Sequence, residues 1–337
     1  MKAVAYQKAG PLNRADALVD IDIKAPEPSG HDVLVKVKAV SVNPVDYKIR
    51  MGVSAPEGGW KVLGWDAVGE VVEVGEKVSG HAKGDVVYYA GSIVRQGANS
   101  EYHLVDERIV AKKPASLSDS EAAALPLTAI TAWEMMFDRL DIRNPVADAA
   151  KAILIVGGAG GVGSIAIQLA RVLSDVTVIA TASRPETKTW VEELGAHHVI
   201  DHSKPLAAQV AALGIGSPAF VFSTTETHRH LDQIIELIAP QGRFGLIDDP
   251  DAFNIMGFKR KSVSVHWEFM FTRSMFQTAD MAEQGKLLNK ISGLIDDGRI
   301  KTTLNEVLRP INAENLLKAH AILESGKSKG KIVLEGF

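Results

Sequence analysis

Hydrophobic and polar positions change rhythm twice along the chain. Up to about residue 120 the dominant period is two. In Val33-Leu34-Val35-Lys36-Val37-Lys38-Ala39-Val40 the odd positions are apolar throughout. Gly69-Glu70-Val71-Val72-Glu73-Val74-Gly75 and Asp85-Val86-Val87-Tyr88-Tyr89 follow as further short strands, separated by Gly, Pro, Ser and Lys turns. Short strands broken by glycine predict a barrel or a strongly bent sheet. Near Pro114 the texture changes: Ser118-Asp119-Ser120-Glu121 has the spacing of a capping box, and Ala122-Ala123-Ala124-Leu125 continues it as a helix. From there to about residue 270, strands are expected at 152–157, 176–182, 198–201, 218–223, 243–248 and 262–267, with helical patterns between them. That alternation is what a doubly wound parallel sheet requires. After about residue 280 helix and short strand return, and Lys331-Ile332-Val333-Leu334 reads as a final strand rejoining the first part. The expected architecture is α/β, with a doubly wound sheet at 125–270 inserted in a β-rich domain made of 1–124 and 271–337.

The first strand of the inserted part, Ile153-Leu154-Ile155-Val156, runs into Gly157-Gly158-Ala159-Gly160-Gly161-Val162-Gly163-Ser164 and then into an apolar-periodic helix, Ile165 to Arg171. Gly158, Gly160 and Gly163 have the G-x-G-x-x-G spacing of a Rossmann dinucleotide turn. The chemistry needs glycine there for a tight turn, close approach to a pyrophosphate, and close helix–strand packing. Gly161 and Val162 complete the turn and supply N–H groups at the positive end of the helix dipole. An NAD site ordinarily carries an acidic residue at the end of the second strand to bond the ribose hydroxyls. Here the second strand is followed by Ser183-Arg184-Pro185-Glu186-Thr187-Lys188. The hydroxyl of Ser183, the guanidinium of Arg184 and the ammonium of Lys188 suit a 2′-phosphate, so NADP(H) is the expected cofactor, with Glu186 acting against it.

Composition narrows the class. The 337 residues exceed one ordinary core, 46% are hydrophobic and 23% charged, and the formal net charge is -4. The densest basic run, Lys259-Arg260-Lys261, is short, so no nucleic-acid surface is expected. No stretch is apolar and long enough to cross a membrane, and the N-terminal Met1-Lys2-Ala3-Val4-Ala5-Tyr6 begins as a strand rather than a signal peptide; a cytoplasmic protein is expected. Cysteine is absent, which rules out disulfides and thiolate ligands to zinc. His197-His198, His202 and His228-x-His230 are the only histidine groupings, and none has the His-Glu-x-x-His spacing of a helical metal site.

Beside the glycine turn, three stretches carry a family likeness: Ala39-Val40-Ser41-Val42-Asn43-Pro44-Val45-Asp46-Tyr47-Lys48-Ile49-Arg50, Gly64-Trp65-Asp66-Ala67-Val68-Gly69, and Pro126-Leu127-Thr128-Ala129-Ile130-Thr131-Ala132. A fourth, His266-Trp267-Glu268-Phe269-Met270-Phe271-Thr272-Arg273, looks like a subgroup signature. Over essentially its whole length the chain resembles the medium-chain dehydrogenase/reductase superfamily. The likeness is to the NADPH:quinone oxidoreductase branch and a bacterial subgroup called zinc-type alcohol dehydrogenase-like. The resemblance implies a GroES-like domain around the Rossmann insert. Zinc-dependent members carry Cys where this chain has Asn43, and His in a Gly-His-Glu motif where it has Gly64-Trp65-Asp66; their third ligand is also Cys. No zinc is therefore expected.

What the resemblance implies for activity is hydride transfer from NADPH to a quinone or an α,β-unsaturated carbonyl. An alcohol dehydrogenase with an altered metal site, or a non-catalytic NADPH-binding structural or sensor protein, stands as the alternative. Asn43, Asp46 and Thr128 are expected to line the nicotinamide or its ribose, although Asn43-Pro44 can serve as a turn and Asp46 as a helix cap. By family position His202 lies near the adenosine phosphate. Tyr47 and Asn43 are the candidate donors to the substrate oxygen, and Trp65 a candidate wall stacking on a flat substrate. The strand Ser262-Val263-Ser264-Val265-His266-Trp267, at a sheet edge, is expected to pair across a two-fold axis in a homodimer.

Overall fold

The structure, a computed structural model, describes residues 1–337. The chain divides into two compact units, Met1–Leu127 with Phe271–Phe337, and Thr128–Met270. The first segment carries β1 (Lys2–Tyr6), β2 (Val19–Asp22), β3 (Asp32–Ser41), α1 (Pro44–Gly52), β4 (Lys61–Val62), β5 (Ala67–Val74), β6 (Val86–Tyr89), β7 (Tyr102–Asp106), β8 (Val110–Lys112) and α2 (Asp119–Ala123). The capping box forms as expected: Ser118 Oγ accepts from Glu121 N, and the Glu121 carboxylate accepts from Ser118 N at 2.9 Å.

α3 (Pro126–Trp133) leads into a π-helical turn, Glu134–Arg139. Then β9 (Ala150–Val156), α4 (Gly161–Leu173), β10 (Thr177–Thr181), α5 (Pro185–Glu193), β11 (His198–Ile200), α6 (Leu206–Ala212), β12 (Pro218–Ser223), α7 (Thr227–Leu237), β13 (Arg243–Leu246) and β14 (Ser264–Trp267) follow. Their six strands are all parallel, in the order β11-β10-β9-β12-β13-β14. This is the doubly wound sheet. The order reverses beside β9, so the glycine turn after it sits at the switch point where such sheets bind ligands. Leu154, Ile179, Val221 and Phe244, all fully buried, form the middle of its core. Two strands are shorter than their apolar runs. β14 starts at Ser264 because Ser262 adopts a left-handed backbone (φ 51°) closing a 3-10 turn, and β13 stops at Leu246 because Asp248 turns to cap α7.

The chain then returns through α8 (Thr272–Phe276), α9 (Glu283–Asp296), β15 (Leu304–Leu308), α10 (Ala313–Glu324) and β16 (Lys331–Glu335). β16 does rejoin the first segment. The larger sheet of that unit runs β15-β16-β3-β5-β6-β8, with β7 also on β3, beside a small sheet β2-β1-β4. Register shifts at Leu34/Val35 and Val37/Ala39 bend β3, which lets one ten-residue strand serve β5, β7 and β16. No helix is long and apolar enough to cross a membrane.

Candidate active site

The glycine turn of the parallel-sheet unit has the division of labour expected of a phosphate cradle. Gly157 makes the turn with φ +81°. A Cβ on Gly163 would collide with the Gly157 carbonyl, and one on Gly158 would come within 2.9 Å of Ala180 Cβ; both positions are glycine because the chain packs there. A Cβ on Gly160 would meet only the Gly157 oxygen, at 3.5 Å, so this side of the turn is open. Gly160 caps α4, and the first N–H groups of a helix have no partner inside it. The cradle fits a diphosphate.

At the end of β10 the residues that suit a 2′-phosphate are already engaged within the protein. Arg184 Nε lies 2.6 Å from Glu186 Oε1, and Lys188 Nζ 3.8 Å from Asp201 Oδ2. Ser183 is half-buried beside them, and so is His202, past β11, with its Nδ1 lacking any partner.

In the other unit the Asn43 region is a closed charge cluster. Val333 pairs with Ser41 and Leu334 with Val40, and continuing that antiparallel register puts Lys331 opposite Asn43. The Lys331 ammonium donates to the Val42 carbonyl (3.0 Å), the Asn43 Oδ1 and Asp66 Oδ2 (3.1 Å), which uses all three of its N–H bonds. Asp66 Oδ2 also accepts from Asn43 Nδ2 (2.8 Å), and Oδ1 accepts from Leu127 N (2.7 Å) at the start of α3. Pro44 opens α1, and Asp46 in its first turn accepts from the backbone N–H groups of Asn43 (2.8 Å) and Gly64 (2.9 Å). All four residues are at most 3% exposed. Burial pushes Asp46 up to about 7 against those two hydrogen bonds, and pushes Asp66 up against Lys331 and Asn43.

These placements revise several expectations. Asn43 has both ends of its amide bonded inside the cluster, and both Asp46 oxygens cap backbone N–H groups, so neither is a free donor or acceptor for a ligand. Trp65 is 1% exposed, donates Nε1–H to the Ser92 carbonyl (3.1 Å) and stands edge-on to Phe271 with ring centres 6.1 Å apart. It is a core side chain rather than a wall for substrate. Tyr47, half-buried on α1, keeps a hydroxyl with no hydrogen-bond partner in the protein, and Thr128 is buried in α3.

Two family profiles match the chain: an alcohol dehydrogenase GroES-like domain over residues 29–115 and a zinc-binding dehydrogenase over 194–334. A zinc-type alcohol dehydrogenase-like protein of Staphylococcus aureus (strain MSSA476) is 41% identical over 341 residues, spanning 99% of each chain. The chain belongs to the medium-chain dehydrogenase/reductase superfamily. The solved structure of a putative zinc-dependent alcohol dehydrogenase protein from Rhizobium etli CFN 42 is 64% identical, with a TM-score of 0.99, and covers 100% of this chain and 98% of its own. A 2-methylene-furan-3-one reductase of Solanum lycopersicum is 28% identical over 99% of this chain and 79% of its own length. As a superfamily member the protein is an oxidoreductase.

The zinc in the names of several superfamily members does not match the donors found here. No group of three or more His, Cys, Asp or Glu is gathered closely enough to hold a metal. The oxygens of Asp66 and Asp46 are filled by N–H donors, and a resident ammonium lies among them.

Two features escaped the pattern reading. One is Lys331, which in the sequence is simply the first residue of a strand. The other is a buried carboxyl pair, Glu134 on the π-helical turn and Glu268 just past β14. Arg139 Nε donates to Glu268 Oε2 at 2.9 Å, while burial first and Glu134 second push Glu268 up to about 8. The pair holds a proton near neutral pH. A π-helical turn is a recurrent marker of functional sites, but nothing in composition announces one here.

Proposed function

We propose that the protein is a zinc-independent reductase that uses NADPH to reduce a quinone or α,β-unsaturated carbonyl. The observation that carries the reading is the Asn43–Asp66–Lys331 cluster: where zinc-dependent relatives place ligands, this chain has an amide, an indole and a carboxylate already bonded to an ammonium. Without a metal to polarise an alcohol, the accessible substrates are those whose carbon is electrophilic already. A name such as 2-methylene-furan-3-one reductase in a relative fits that class.

Gly160, Gly161, Val162 and Gly163 would hold the diphosphate, Ser183, Arg184 and Lys188 the 2′-phosphate, and Thr128 would approach the nicotinamide ribose. Bound there, NADPH supplies a hydride. The protein's own contribution is orientation and exclusion of water. Tyr47, with its unengaged hydroxyl, is the side chain we assign to hydrogen-bond the substrate oxygen, with the final proton drawn from solvent. Releasing Arg184 from Glu186 and Lys188 from Asp201 is part of binding the 2′-phosphate, which tempers the preference for NADPH over NADH.

The test is oxidation of NADPH, followed at 340 nm, against a panel of quinones and enones, with NADH as control and metal content measured on the same sample. Turnover without stoichiometric metal, unaffected by a chelator and faster with NADPH, is the expected result. Turnover that tracks zinc content, or none on any acceptor, overturns the reading.

A further inference from the structure

Two half-buried imidazoles meet beside the residues assigned to the 2′-phosphate. His202 follows β11, and His230 stands on α7, a helix from the opposite side of β9 in the sheet order. Their ring centres are 6.4 Å apart at an interplanar angle of 67°. Neither ring has a hydrogen bond within the protein, and the Nδ1 of His202 is buried without a partner. We propose that His202 and His230 form a proton-accepting pair at the adenosine end of the cofactor site, and that binding of the 2′-phosphate of NADPH draws a proton onto them. The inference rests on the NADPH reading above and adds to it a second, titratable layer of recognition.

The charges around the pair make it responsive. His202 faces Asp201 from its own loop and Arg184 from the start of α5; His230 faces His202 and, on or next to α7, Glu226, His228 and Arg229. Burial holds both rings below the ordinary histidine range, with Arg184 adding to it at His202 and His202 itself adding at His230. The two carboxylates that oppose this are both taken: Asp201 by Ser203 and Lys188, and Glu226 by Arg229. The free protein therefore keeps the pair neutral at pH 7. A phosphate monoester arriving at Arg184 brings close to two negative charges, which offset the guanidinium and favour the imidazolium. The sign follows directly: a group whose affinity for a proton rises on binding takes one up, so NADPH binds more tightly as pH falls. NADH, lacking the phosphate, gains nothing from the pair.

The deciding experiment is calorimetry of NADPH and NADH binding at pH 7 in buffers of different ionisation enthalpy, on the wild type and on the single variants His202→Gln and His230→Gln. The expected result is more proton uptake with NADPH by the wild type than by either variant, a difference that is absent with NADH. Between pH 6 and 8 the Kd for NADPH should weaken by up to about tenfold per pH unit relative to the variants. The 2′-phosphate's own ionisation, which releases a proton on binding, is common to all three proteins and cancels in the difference. If NADPH binds no better than NADH, the NADPH reading fails and this inference with it. If NADPH is preferred but the variants take up as many protons as the wild type, the proton-accepting pair alone is overturned. An unchanged melting temperature in the variants verifies that the fold is intact.

Discussion

The Lys331 ammonium bonds only to first-segment residues, on strands and loops that the chain leaves some 265–289 residues earlier. It is the counter-charge of Asp66, and both are buried. Removing one partner of a buried pair strands the other, whereas removing both leaves a polar but uncharged site. Lys331→Met should therefore cost about 3–5 kcal/mol of stability in urea unfolding, and Asp66→Asn added to it should restore part of the loss. If Lys331→Met costs less than about 1 kcal/mol, the cluster is not the fixed structural charge described here. Nothing near Lys331 in the chain signals its role. The lysine opens an ordinary alternating strand, and only the β16–β3 register reveals what it faces.

At the scale of elements, the glycine turn separates two kinds of requirement that spacing alone merges. Gly163 is needed by the fold, and Gly160, on the open side of the turn, by the proposed cofactor. Gly163→Ala pushes a methyl into the Gly157 carbonyl and should lower both the melting temperature and cofactor binding. Gly160→Ala should leave the melting temperature within a few degrees, while weakening NADPH binding at least tenfold because its methyl points into the open side of the cradle. Fluorescence titration with thermal melts on both variants checks this; equal losses of stability would refute the division. The parallel-sheet strands were legible because each is a short apolar run bounded by turn residues, and they differ from expectation mainly at their ends, where caps decide. The π-helical turn at Glu134–Arg139 was not legible, since its sequence is that of an ordinary helix end.

Over the whole molecule, each unit holds a buried carboxyl that titrates close to neutral pH: Asp46, pushed up to about 7, in the first, and Glu268, pushed up to about 8, in the second. In each case the folded pKa lies above the unfolded one. The folded chain thus retains a proton that the unfolded chain has released, and stability contributed by that proton falls as pH rises from about 4 towards 7 for Asp46 and towards 8 for Glu268. Glu268→Gln, which keeps an oxygen for Arg139, should flatten the descent between pH 5 and 8 by up to about 1.4 kcal/mol per pH unit. Chemical denaturation across that range measures it, and parallel curves for variant and wild type would count against the shared proton. The site was legible where it depends on local spacing, as in the glycine turn, and illegible where long-range packing decides. Asn43, Asp46 and Trp65 fall where the family resemblance implies ligand contact, yet the structure turns them inward to one another's neighbours. The tie between Lys331 and Asp66 also has a consequence during synthesis. A nascent chain has residues 128–270 complete, with a contiguous core, before the lysine that neutralises Asp66 has been made. The inserted unit is free to fold first, while the segment encoded ahead of it waits, its acidic centre uncompensated, for the last strand to leave the ribosome.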